Sequence, residues 1–102
     1  MSDKDIWAVG YVMRTIRMKI LLYFDWAGTR KELKEHERKM QKACIETGVE
    51  HEGLFGSMNE KWNYVWLFQA NGYEHFLEMS RKVPRAIHMT HYITEILIPI
   101  RL

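Results

Sequence analysis

Glu95 stands between Ile93 and Leu97 in a strand-like run, two positions from each. Burial disfavours the charged form of a carboxylate, so one held on an apolar strand face is suited to proton transfer. Asp25 and Tyr23 occupy a second such run. Glu95 or Asp25 would then act as general base, with Tyr23 in the wall of the site. The bland alternative is a rim carboxylate paired with a basic residue. The histidines are His36, His51, His75, His88 and His91. His88 and His91 form H-x-x-H, a spacing that grips a metal on a helix but does not converge on an extended segment. No third ligand is spaced to help, and no metal or organic cofactor is expected. His36 interrupts a charged helix face and reads as solvated, whereas His51 and His75 are placed to approach a cavity mouth. Cys44 falls on an apolar helical stripe beside Met40, which marks it as packing and not as a nucleophile.

These groups need a scaffold, and the composition bounds it. The 102 residues make one domain, and a hydrophobic fraction of 47% is that of a folded protein. Fifteen basic and thirteen acidic residues leave a net charge of +2, too balanced to imply nucleic acid or an acidic partner. The single cysteine permits no internal disulfide and fits a reducing, cytoplasmic setting. The first residues are not the basic start of a signal peptide. The apolar run at 6–13 is too short for a membrane span.

Residues 1–17 read as an extension, a short helix or loose arm. Residues 18–26 alternate as a strand. Thr29 with Glu32 makes a capping box, in which each side chain satisfies an orphan amide at a helix start. The helix that follows buries Leu33, Met40, Ala43, Cys44 and Thr47, and Gly48 supplies a left-handed stop. A second strand over 49–57 is weakened by Gly53 and Gly56, a pattern that marks a bulge or a close backbone approach. Residues 58–61 turn the chain into a third strand over 62–70. Asn71 can cap a second helix over 73–82, which Pro84 prevents from continuing. A last strand spans 91–98. The order strand, helix, strand, strand, helix, strand favours a ferredoxin-like α+β plan. In it, one four-stranded antiparallel sheet carries two helices on one face, and the first and third strands are central.

The third strand is apolar on both faces. Trp62, Tyr64, Trp66 and Phe68 point one way; Val65 and Leu67 point the other. The expectation is that the helices cover Val65 and Leu67 with Ile20, Leu22 and Phe24. The aromatic set would then lie on the helix-free face with Leu21, Tyr23, Ile93 and Leu97. Trp62, Trp66 and Phe68 would there expose about 450–750 Å², against about 300–600 Å² for the largest patch of a typical monomer. A second copy of the chain is therefore the expected cover.

With its element order, its opening Met18-Lys19-Ile20 and its closing Ile96-Leu97-Ile98-Pro99-Ile100, the chain over 18–102 resembles the dimeric α/β-barrel superfamily. The resemblance is architectural. It implies sheet-to-sheet pairing, and it spreads over cofactor-free monooxygenases, haem-degrading enzymes, isomerases, cyclases and domains without known activity. The functional expectation is a homodimer with an aromatic-lined cavity on the helix-free face. That cavity would bind a small apolar or aromatic molecule, with Tyr23, Tyr64, Trp66, Trp62, His51 and His75 as ligand-binding residues and Glu95 or Asp25 as base. The alternative is an interaction module with a solid dimer core. RNA binding is disfavoured: the third strand lacks the small residues of the RNA-recognition pattern, and the basic residues concentrate on the first helix.

Overall fold

The computed structural model describes residues 17–56 and 62–100. Apart from Arg17, the arm expected over 1–17 lies outside them, as does the connection at 58–61. Strand β1 spans Met18–Trp26, helix α1 Arg30–Thr47, β2 Glu50–Gly56, β3 Tyr64–Ala70, helix α2 Tyr73–Lys82 and β4 Met89–Leu97. The sheet order is β2-β3-β1-β4 with every pairing antiparallel, so β1 and β3 are central as expected. Strand β3 begins two residues later than the alternation suggested, and β4 two residues earlier.

The local signals act where they stand. Thr29 Oγ1 accepts from the Glu32 amide at 3.1 Å, while Glu32 Oε1 accepts from the Thr29 amide at 2.9 Å. That backbone hydrogen bond, followed by the one from the Thr29 hydroxyl, holds the Glu32 carboxyl below its usual pKa. Gly48 ends α1 in the left-handed region at φ 75°, which costs a residue with a Cβ about 1–2 kcal/mol. Gly53, at φ 149°, follows a break in the β2–β3 register after His51, the bulge that is one of the two readings of its position. Asn71 does not cap α2; Gly72 stands at the N-cap with no side-chain bond.

One expectation is overturned. Directly opposed residues share a face of the sheet, and Ile20 pairs with Phe68, Leu22 with Trp66 and Phe24 with Tyr64. Tyr64, Trp66 and Phe68 therefore lie under the helices with Ile20, Leu22 and Phe24, and Trp66 and Phe68 are fully buried. Val65 and Leu67 take the helix-free face. The physical reason is volume. Helices stand off a sheet by about the width of a large side chain, and the rings have the volume to fill this layer. Phe24 stacks on Trp66 at 4.8 Å and on Tyr64 at 5.4 Å between ring centroids, and Phe68 meets Phe76 of α2 at 5.7 Å. Cys44 of α1 and Met79 of α2 join this core from the helix side.

Candidate functional site

The helix layer does not extend evenly across the sheet. Strand β4 is an edge, and its helix-side residues Tyr92 and Ile96 remain 50% and 39% exposed. Between α2 and β4 lies a wedge-shaped cavity of about 270 Å³. Its floor is Leu22 of β1 with Met40 of α1. Phe76, Leu77, Met79 and Ser80 of α2 form one wall, and Met89, Tyr92 and Thr94 of β4 form the other. His36, Tyr73, Val83 and Arg85 complete it.

His36 is the main surprise. It was expected to be solvated, yet it is only 7% exposed. Its ring lies between Trp26, at 5.7 Å, and Trp66, at 5.6 Å. Burial, and then the charge of Lys39, hold its pKa below the usual histidine value, so the imidazole is neutral at neutral pH. The signal was available: His36 follows Leu33 by three residues and precedes Met40 by four, which places it on the buried stripe of α1. Trp66 Nε1, beside it, is buried with no hydrogen-bond partner among the described residues.

The residues singled out from sequence divide between the two faces of the sheet. On the helix-free face, the register sets Phe55, Val65, Tyr23 and Ile93 in one row across the four strands, and Gly53, Leu67, Leu21 and Glu95 in the next. Tyr23 and Glu95 thus keep their expected face, with Glu95 exposed at the β4 end of its row. Lys19 bridges to Glu52 at 3.5 Å across one end, and Arg17 pairs with Glu50 there. Asp25 lies at the other end. It accepts the Asn63 amide at 3.1 Å and stands 3.8 Å from His91 Nδ1, so it ties β1 to the entry of β3.

Tyr64 and Trp66 belong to the opposite face. His51 shares it, edge-on to Phe68 at 5.9 Å, with Nε2 buried and without a partner among the described residues. It does not reach the helix-free face where it was expected. His75, half-buried on α2, does not line the wedge, and half-buried Trp62 precedes β3. His88 turns to Glu32 at 2.6 Å, away from His91. No group of three metal-binding side chains lies together among the described residues. Burial pushes the Cys44 thiol up to about 12, which keeps it inert.

The architecture is the ferredoxin-like α+β fold. Solved structures that share it include chlorite dismutase from Candidatus Nitrospira defluvii in complex with imidazole. It is 11% identical, with a TM-score of 0.56, and the match covers 83% of this chain and 42% of that one. A protein of unknown function from Rhodopseudomonas palustris is 13% identical, with a TM-score of 0.57, and matches over 100% of this chain and 97% of its own. The chain thus spans less than half the length of the chlorite dismutase. No protein-family model matches the sequence, and no curated protein matches it. No helix among the described residues is long and apolar enough to cross a membrane.

Proposed function

We propose that the chain is one subunit of a homodimeric barrel that binds a small apolar or aromatic molecule in the wedge between α2 and β4. The observation that carries the ligand reading is the wedge itself, walled by Leu22, Met40, Phe76, Met79 and Met89, with one neutral imidazole at its inner end. Ligand pockets commonly run from about 300 to 1,000 Å³. At about 270 Å³ this one suits a molecule of one or two rings. If it turns substrate over, as an isomerase, cyclase or monooxygenase without a cofactor, His36 is the group positioned to take a proton from the bound molecule. Glu95 would serve only in a chamber closed by a partner, and Asp25 is already engaged by Asn63 and His91.

The homodimer reading rests on the helix-free face. Phe55, Ile93 and Leu97 there are 50%, 51% and 45% exposed, beside half-buried Leu21, Tyr23, Val65 and Leu67. Covering each half-exposed residue contributes about 1 kcal/mol before association entropy is charged against it. The same face lacks Trp66 and Phe68 as stacking platforms, which removes the main support for RNA binding.

Two measurements test the proposal. Titration with naphthol, followed by NMR, should shift Met40, Met79 and Met89 methyl signals, and Leu77→Trp should abolish the shifts. Shifts confined to the helix-free face would refute the wedge as the site. Light scattering should give twice the 12.3 kDa chain mass, falling to one chain mass in Leu67→Lys. A monomeric wild-type protein would refute the dimer.

A further inference from the structure

We infer that the molecule held in the wedge is a carboxylate whose anionic head sits on Arg85. The inference rests on the wedge being a ligand site and adds the class of ligand. Arg85 is the one permanently charged side chain in the lining, and no carboxylate lines the wedge with it. Its guanidinium lies over the Tyr92 ring, 5.2 Å from the centroid, and enters no ion pair or hydrogen bond among the described residues. An aromatic face holds the cation in place but leaves its planar fork of donors uncommitted. Such a fork matches a carboxylate with two parallel charge-assisted hydrogen bonds. Arg85 is itself exposed, so solvent screens the pairing in part, and the apolar walls of Leu77, Met89 and Phe76 lie beside it. An apolar body with one anionic end therefore meets both halves of the site, whereas a neutral molecule leaves the exposed guanidinium to solvent.

The charge behind the wedge has the same sign. A cleft of about 570 Å³ on the far side of His36 shares His36 and Val83 with the wedge. It carries Lys39 and Lys42 without ion-pair partners among the described residues, while Lys82 is held by Glu46 at 3.2 Å. These ammonium groups lie outside the wedge lining and add a general positive field, whereas Arg85 supplies the direct seat.

The test compares phenylbutyrate with phenylbutanol, which share a body and differ in the charge of the head. By calorimetry at neutral pH and low salt, the acid should bind wild-type protein about two- to fivefold more tightly than the alcohol. Arg85→Gln should bring the acid down to the level of the alcohol and leave the alcohol unchanged. Arg85→Lys should restore part of the difference, because it returns the charge without the fork. The double variant Lys39→Gln/Lys42→Gln should keep the preference. Equal binding of the two probes to wild type, or a preference that survives Arg85→Gln, would overturn the inference while leaving an apolar pocket intact. A preference lost in the lysine double variant would overturn the Arg85 seat. If neither probe binds, the wedge itself is not the ligand site, and the carboxylate reading falls with it.

Discussion

Replacing Trp66 by alanine should destabilise the protein far more than the same change at its neighbour Leu67, and the two costs follow from opposite faces of one strand. Trp66 is fully buried and stacks on Phe24 at 4.8 Å. Truncating a buried aromatic to alanine costs about 3–5 kcal/mol, and its ring pairing adds about 1 kcal/mol. One term works the other way: Nε1 has no partner, so removing it relieves a desolvation penalty of about 1–3 kcal/mol. The net is about 3 kcal/mol, a large part of the 5–15 kcal/mol that holds a typical domain together. It corresponds to a melting temperature lower by about 12–24 °C for a chain of this size. Leu67 is half-buried, so Leu67→Ala should cost the isolated subunit about 1 kcal/mol. Trp66→Phe, which keeps a ring and deletes the orphan N–H, should fall well below Trp66→Ala. Urea denaturation at two protein concentrations separates the subunit term from any association term. A Leu67→Ala cost exceeding that of Trp66→Ala at the lower concentration would mean that the face assignment of β3 is wrong.

Two further perturbations probe the elements around the wedge. Because burial lowers the pKa of His36 in the folded state, its contribution to stability is complete above about 6.5, the pKa of a free histidine, and is lost as pH falls through the folded value. Thermal melts taken from pH 8 down to about 5 should therefore fall more steeply for wild type than for His36→Phe, which keeps a ring between Trp26 and Trp66; identical profiles would show that His36 is not buried as described. Thr29→Ala removes the hydroxyl that accepts the Glu32 amide and should cost about 1 kcal/mol in urea denaturation, with a loss under about 0.3 kcal/mol counting against the cap.

The fold was legible in the sequence because its signals are local. Thr29 with Glu32, Gly48, the Gly53 bulge and the alternation of β1 each state a backbone conformation without reference to the rest of the chain. Element order then leaves few topologies to choose among. The facing of β3 was a different kind of question. Both sets of side chains, Tyr64/Trp66/Phe68 and Val65/Leu67, are apolar, so period-two alternation could not say which set meets the helices. The choice is made by the volume available between sheet and helices and by the register with β1, neither of which one strand contains. His36 was legible and was misread, since its spacing to Leu33 and Met40 carried the information and its polar identity outweighed it. Arg85 over Tyr92 was not legible, because that contact joins a loop after α2 to an edge strand through tertiary geometry alone.

The facing of β3 also determines where a ligand can go. With the rings of Phe24, Tyr64, Trp66 and Phe68 between sheet and helices, the core is thickest over β1 and β3. Helix α2 is only ten residues long and packs on this aromatic layer through Phe76 and Met79. Little of it remains to cover β4, where Tyr92 and Ile96 stay partly open to water. The wedge is the space left between a short helix seated on large rings and an edge strand that it does not cover. Had Val65 and Leu67 faced inward, the thinner layer would have let α2 settle toward the sheet, and the aromatic set would have lain on the helix-free face. The inversion thus accompanies an apolar pocket on the helix side, whereas the sequence pointed to the helix-free face. It also leaves the helix-free face with the flatter aliphatic set, Leu21, Val65, Leu67 and Leu97 around Tyr23, which suits close sheet-to-sheet packing better than a cavity wall.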